Sequence, residues 1–292
     1  MFITHADGDH NSGILDILER DSGITVEKLY LPSCAEGDAA YDEIREVFAG
    51  SKGARQGNAD ISGSASGCRT ENEPGDSAGR ESEKQDRNEL PADSIVYLSA
   101  GMEIPAGAGT FYCLSPEAGD RPDDMNDQSL VLLYEERIPD HWHKNSENKA
   151  EKDTAQDAEE ENPEGACFRV LLMGDAGKDV ENRLIANAES AERAQTNDFR
   201  IARETVQTIR NIHILKVGHH GSKSATSEAF LQLTDPDYAV LSYGENNRYG
   251  HPAMVTTELL ERQGTRRLDT AVSGALTFTL RGNMVYLSRM CE

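Results

Sequence analysis

"FRVLLMGD", residues 168–175, is an apolar run of strand length that stops at a glycine and an aspartate. A run of this kind suits a strand buried on both faces. The pattern recurs downstream in "IHILKVGHHGS" (212–222), which ends in two histidines, a glycine and a serine, and in "YAVLSYG" (238–244). Residues 177–210 are helix-forming and charged, with Val180, Leu184 and Ile185 on one spacing and Ile201, Val206 and Ile209 on another. Residues 224–233 and 253–263 are amphipathic, with "NNRYGHP" as the loop before the second; "GALTFTL" and "MVYLS" predict a closing hairpin. Strands alternating with helices imply an α/β layered architecture, and such sheets build sites at the C-terminal ends of their strands.

Upstream, residues 1–50 read as strand, helix, strand and helix: "MFITH", then 11–20, "ITVEKLYLP" and "AYDEIREVFAG". "SIVYLSA", "GTFYCLS" and "SLVLLYEE" suit further strands. Two stretches break the pattern. Residues 51–92 are Gly, Ser and charge with almost no large apolar residue, and 138–165 are polar and acid-rich. Both are expected to be disordered insertions within one domain spanning 1–292.

Composition narrows the function classes. The net charge of −23 over 292 residues argues against broad electrostatic attraction to nucleic acid or anionic lipid. It leaves nucleic acid open as a substrate, because a bound dication reverses the field locally. A hydrophobic content of 37% and a mean hydropathy of −0.62 agree with unstructured stretches. Five scattered cysteines without a CxxC pair form neither a disulfide framework nor a zinc knuckle. No signal peptide is visible, and no apolar run approaches the ~20 residues that span a bilayer. As written, the chain reads as soluble and cytoplasmic by default.

The polar residues at the strand ends share one chemistry. His5, Asp7, Asp9 and His10 follow the first strand, Asp175 a second, His219 and His220 a third, and His251 a later one. Imidazole and carboxylate without thiolate suit Zn²⁺, Mn²⁺ or Fe. Strands presenting such ligands at one edge hold two ions with a bridging carboxylate, an arrangement that generates hydroxide at neutral pH. Other polar residues have plainer readings. His141 and His143 flank the only tryptophan in a polar stretch, His213 alternates with Ile212 and Ile214 as a partly buried strand histidine, and Lys216 reads as a sheet residue rather than a phosphate contact. Ser222 suits the N-cap of a helix over 223–233.

"THADGDHNSG", "LLMGDA", "LKVGHHGS" and "NRYGHP", in that order, resemble the metallo-β-lactamase superfamily. Within it they are most similar to the C-terminal domain of ComEC-type DNA-internalisation proteins. The resemblance implies an αβ/βα sandwich and a hydrolase with two divalent metal ions, Zn or Mn. It implies His5, Asp7, Asp9, His10, Asp175, His219 and His220 as metal ligands, with Asp175 bridging and Asp7 standing in place of the usual second histidine. His251 matches the last histidine, as a ligand or an acid, and with Asp9 it is assigned to catalysis. Asn126 and Ser129 match an N-x-x-S stretch found in place of a central histidine. Ser222, Lys223, Asn247 and Tyr249 are the expected substrate or phosphate contacts. The family carries further strands ahead of the THxxxDH motif, so the first strands are expected to be missing and the chain to be the C-terminal piece of a longer protein. The expected substrate is a phosphodiester, DNA above all. An upstream N-terminal segment or a membrane competence protein is the expected partner, which would make the chain membrane-associated without a span of its own. The alternatives are a small-molecule hydrolase acting on a lactone, thioester or phosphoester, and an inactive fragment of a larger ComEC-like protein.

Overall fold

The computed structural model describes residues 1–19, 24–59, 94–138, 167–193, 209–281 and 284–290. Seven strands form the main sheet in the order β3 (Glu103–Ala106), β4 (Gly109–Ser115), β5 (Val131–Arg137), β6 (Cys167–Leu172), β7 (Ile214–Lys216), β8 (Tyr238–Leu241) and β9 (Arg266–Asp269). β3 to β6 are antiparallel to their neighbours, and β6 to β9 run parallel. A smaller sheet pairs β1 (Leu29–Pro32) in parallel with β2 (Ile95–Leu98). Residues 1–3 lie along β1, with Tyr30 N–H donating to Met1 O at 2.8 Å and Ile3 N–H to Tyr30 O at 3.0 Å. A hairpin of β10 (Leu276–Arg281) and β11 (Met284–Arg289) completes the strands.

Period-2 alternation assigns the faces. Val131, Leu133, Leu171, Leu215, Ala239 and Leu241 of the main sheet pack on α3 (Lys178–Arg193), α4 (Glu228–Thr234) and α5 (Met254–Arg262), through Val180, Leu184, Phe230, Leu231, Leu259 and Leu260. On the other face, Leu132, Leu172 and Cys113 meet Tyr30, Val96 and Leu98 of the small sheet. Beside them Val170, Ile214 and Val240 meet Phe278, Leu280 and Val285 of the hairpin. The outer face of the small sheet buries Leu29 and Leu31 against α1 (Gly8–Glu19) and α2 (Asp42–Ala59), through Leu18, Ile44 and Phe48. The layers are therefore helix, sheet, sheet, helix, a mixed α/β architecture.

Several expectations shift. "MFITH" contributes one isolated bridge, Phe2 to Tyr30, rather than a strand. "ITVEKLYLP" shortens to its last four residues. Helix α2 runs on to Ala59, so residues 51–59, read as the start of the first insertion, are helical. Ile138, read as opening the second, is 3% exposed and packs with Phe168 and Ile214. The rest of both insertions, with His141 and His143, lies outside the described residues, as do 194–208 of the long helical reading. Strands β3 and β9 were not expected; charged side chains on both faces ("RRLD") and a proline ("EIPA") hid the pattern of a sheet edge. The N-cap of α4 is Ser227 rather than Ser222, its hydroxyl accepting from Phe230 N–H at 3.3 Å.

Candidate metal centre

The topology brings four chain segments to one edge. β6 and β7 are parallel neighbours, so the turns after them, carrying Asp175 and His220, emerge side by side. β5 runs antiparallel to β6, which places Ser129 at its start beside the end of β6. Thr4 O accepts from Leu130 N–H at 3.0 Å, tying the 4–10 turn to the same place. Helix α1 starts at Gly8, so Asp9 and His10 sit in its first turn.

Asp175 is the hub. Its Oδ1 lies 3.1 Å from His10 Nε2 and 3.7 Å from Lys216 Nζ, and its Oδ2 3.2 Å from His220 Nε2. His220 Nε2 is also 3.4 Å from Asp9 Oδ2, and His5 Nε2 is 3.6 Å from Asp7 Oδ2. Burial by itself would raise the Asp175 carboxyl. The His10 and His220 rings beside it and the Lys216 charge outweigh it and hold the group ionised, far below the usual carboxylate range. Burial lowers Lys216, opposed by Asp175. It also pushes His5 down to about 4, with His10 adding to the effect. His220 is raised by its hydrogen bond to Asp175.

The far side of each ring sets its tautomer. His220 Nδ1–H donates to Ser242 O at 2.6 Å, so the neutral ring carries its lone pair on Nε2. Thr4 Oγ1 lies 3.1 Å from His5 Nδ1 and 3.2 Å from His10 Nδ1. A hydroxyl oxygen has two lone pairs, so it can accept from both Nδ1–H groups, which aims both Nε2 lone pairs inward as well. Ser129 Oγ accepts from Asp175 N–H at 3.0 Å and lies 3.3 Å from His5 Nδ1.

This donor set fits a divalent ion. His10 Nε2 and His220 Nε2 are 3.1 Å apart, a separation that two lone pairs tolerate only with a proton or cation between or beside them. His5 Nε2 and Asp175 Oδ1 are buried without a hydrogen-bond partner, and such orphaned atoms cost about 1–3 kcal/mol each unless something binds them. Two overlapping groups, His5–His10–Asp175 and Asp9–His10–His220, each hold their ligand atoms within 4.8 Å of one another. Three carboxylates against one ammonium leave a net negative site when the imidazoles are neutral. Nitrogen and oxygen donors without sulfur match Zn²⁺ or Mn²⁺.

The other expected residues divide. Asp9, His220, Asn247, Tyr249 and His251 line one cleft of about 350 Å³ next to the cluster, with Ser242, Tyr243, Gly244 and Thr270. Burial lowers His251. Asn247 is occupied as a loop staple: its Oδ1 accepts from His251 N–H at 2.9 Å, and its Nδ2 donates to His251 O at 2.8 Å. His219 stands outside both ligand groups, its Nδ1 3.4 Å from Ser224 Oγ. Ser222 is 7% exposed and its Oγ pairs with Ser224 Oγ at 3.0 Å. Lys223 lines a different groove, with Lys178 and Arg262. Asn126 is turned to Asp124, whose Oδ1 accepts from Asn126 Nδ2 at 3.0 Å. His213 was expected inside a strand but lies just ahead of β7; it is partly buried and its Nδ1 accepts from Arg169 N–H at 3.2 Å.

Lys216 was passed over as a sheet residue; its signal was a lone cation on the buried strand "ILKV". Nothing in the pattern marked the Thr4 hydroxyl or the Ser242 carbonyl. Both touch the far nitrogens of the His5, His10 and His220 rings, and those contacts exist only in three dimensions.

No family model matches this chain. Among curated proteins, 176 residues are 39% identical to ComE operon protein 3 of Bacillus subtilis, covering 60% of this chain and 16% of the relative. Shorter matches are 39% identity over 77 residues to Competence protein ComA of Neisseria gonorrhoeae and 43% over 68 residues to Recombination protein 2 of Haemophilus influenzae. The chain is similar to part of bacterial competence proteins. It spans 16%, 11% and 9% of the lengths of these relatives. Among the described residues no helix is long and apolar enough to cross a membrane.

Proposed function

We propose that this chain is a metal-dependent phosphodiester hydrolase of the metallo-β-lactamase type, acting on DNA in competence. The observation that carries this reading is Asp175, buried between the Nε2 atoms of His10 and His220, with the unpartnered His5 Nε2 in the same cluster. The helix–sheet–sheet–helix layering and the likeness to competence proteins support it. His5, Asp7, Asp9, His10, Asp175 and His220 would hold one or two Zn²⁺ or Mn²⁺ ions. When bound, such ions supply Lewis acidity toward a phosphoryl oxygen and lower the pKa of the attacking water.

The chain's own residues do the rest. Thr4 and Ser242 hold the three imidazoles in the ligating tautomer, and Lys216 keeps Asp175 ionised and oriented. Asp9, at the boundary between cluster and cleft, takes the proton from the attacking water. His251, on the cleft wall, delivers a proton to the leaving oxygen from its protonated form, which burial disfavours in the free site.

The test uses the full chain, stripped of metal and reloaded with Mn²⁺ or Zn²⁺, with cleavage of a DNA oligonucleotide as readout. The expected result is metal-dependent cleavage that Asp175→Asn reduces by more than ~10²-fold, with bound metal lost in parallel. Loading without cleavage of any phosphodiester, but with turnover of a lactone or thioester, hands the site to the small-molecule reading; a cleft of 350 Å³ is large enough for one. Failure to bind either ion overturns the metal centre.

A further inference from the structure

Three rings form a column along the wall of the cleft. The His220 ring lies 6.3 Å, centroid to centroid, from the His251 ring, with 21° between their planes. His251 lies 5.9 Å from Tyr249 at 17°. The column starts at the cluster, where His220 meets Asp175, and ends in solvent, where Tyr249 is 70% exposed. The Arg248 guanidinium carbon sits 5.9 Å from the Tyr249 centroid.

Core packing does not explain the outer ring, since most of it faces water. The loop that presents it is nevertheless tied down: Asn247 braces His251 through two hydrogen bonds and donates to Gly244 O at 3.1 Å. A rigid loop holding an exposed aromatic ring at the mouth of a polar cleft is the arrangement of a ligand platform, because little ordering entropy is left to lose on binding.

We infer that Tyr249 is the stacking platform for a nucleobase flanking the scissile phosphodiester, with Arg248 at its outer side. The inference rests on the phosphodiesterase reading and names how that substrate is held. A strand with one phosphate at Asp9 and His220 runs past His251 along the column and lays the neighbouring base against Tyr249. Near-parallel rings in sequence favour a further planar ring over a bare phosphate. Charge points the same way. A chain of net charge −23 gains nothing from broad phosphate contact, whereas a base presents a neutral π-face and is held by stacking. Recognition through bases leaves the ions to deal with a single phosphate.

The experiment compares an oligothymidylate with an abasic strand of equal length, both with phosphorothioate linkages, by fluorescence anisotropy on the Mn²⁺-loaded full chain. Cleavage of the corresponding unmodified strands is measured separately. Wild type should prefer the oligothymidylate by about tenfold; the preference should vanish in Tyr249→Ala and return in Tyr249→Trp. Equal affinity of wild type for the two strands overturns the platform, as does a preference that survives in Tyr249→Ala, or no binding of either strand. A base preference that depends on Tyr249, without cleavage of either strand, keeps the platform and overturns the hydrolytic reading. Cleavage of both strands with no such preference does the reverse.

Discussion

Two histidine turns face each other across the cluster and are built on different plans. The first, residues 4–10, gathers four imidazole and carboxylate side chains in six positions, and none of its residues takes a positive φ. Gly8 meets no atom within 4 Å of an added Cβ, so that turn is open and its two carboxylates are half-exposed. The second is tight. His219 and His220 sit at φ 45° and 53°, followed by Gly221 at φ 81°, and only His220 reaches Asp175. Each left-handed non-glycine residue costs about 1–2 kcal/mol. The neighbours hold the bend: His219 N–H donates to Gly174 O at 3.2 Å, Ser222 N–H to His219 O at 2.8 Å, and Ala253 N–H to Gly221 O at 2.9 Å. One turn gathers many donor side chains, the other uses a strained backbone to aim one ring.

The contrast breaks first at Gly221. An added Cβ there would lie 2.6 Å from Leu241 Cδ2 and 2.9 Å from Pro252 Cβ, at a positive φ. Gly221→Ala is expected to cost about 3 kcal/mol from overpacking and backbone strain together, whereas Gly8→Ala should cost under about 1 kcal/mol. Urea unfolding of both variants measures the difference, and equal midpoints would refute the two-plan account.

The open turn has its own weakness in acid. His5 is buried and its folded pKa is about 4, below the ordinary ~6.5. Between those values the unfolded chain binds a proton that the folded chain does not, so stability falls as pH drops through that window. With metal chelated, the loss between pH 6.5 and 4.5 should be about 2 kcal/mol. His220, whose pKa is raised, changes its contribution above this window, and Asp175 below it. Replacement His5→Gln should flatten the slope; an unchanged slope would place its origin elsewhere.

The smallest effect is the sharpest. His219→Gly removes left-handed strain without touching either ligand group, so it should stabilise the chain by about 1 kcal/mol and leave metal content as in wild type. His220→Gly relieves similar strain but should lose metal. Thermal unfolding of the metal-free variants, with metal analysis after loading, separates the two, and metal loss in His219→Gly would restore that residue as a ligand.

Much of this was legible. The buried strands "FRVLLMGD" and "YAVLSYG" announced themselves by unbroken apolar runs, Asp175 and His220 by falling after strands, and His5, Asp9 and His10 by crowding into six positions. Those signals are local, with a period or a terminus that a one-dimensional reading can follow. The edge strands β3 and β9 were not legible, because an edge strand needs no apolar face. Lys216 was read as a sheet residue and lies in β7, but its contact with Asp175 was not legible. Nor was it legible that Ser222 would pair with Ser224 and Lys223 line a different groove, because direction depends on packing.

The order of residues determined which chemistry was available: imidazoles and carboxylates without thiols, placed where strands give way to turns. It also determined the α/β layering, through hydrophobic period and run length. Tertiary structure alone decided which of two adjacent histidines faces Asp175. It alone also put the Thr4 hydroxyl behind two rings and aligned Tyr249, His251 and His220 in one column. Each depends on a distance between segments remote in the chain, set by sheet register and close packing, and no local pattern encodes such a distance.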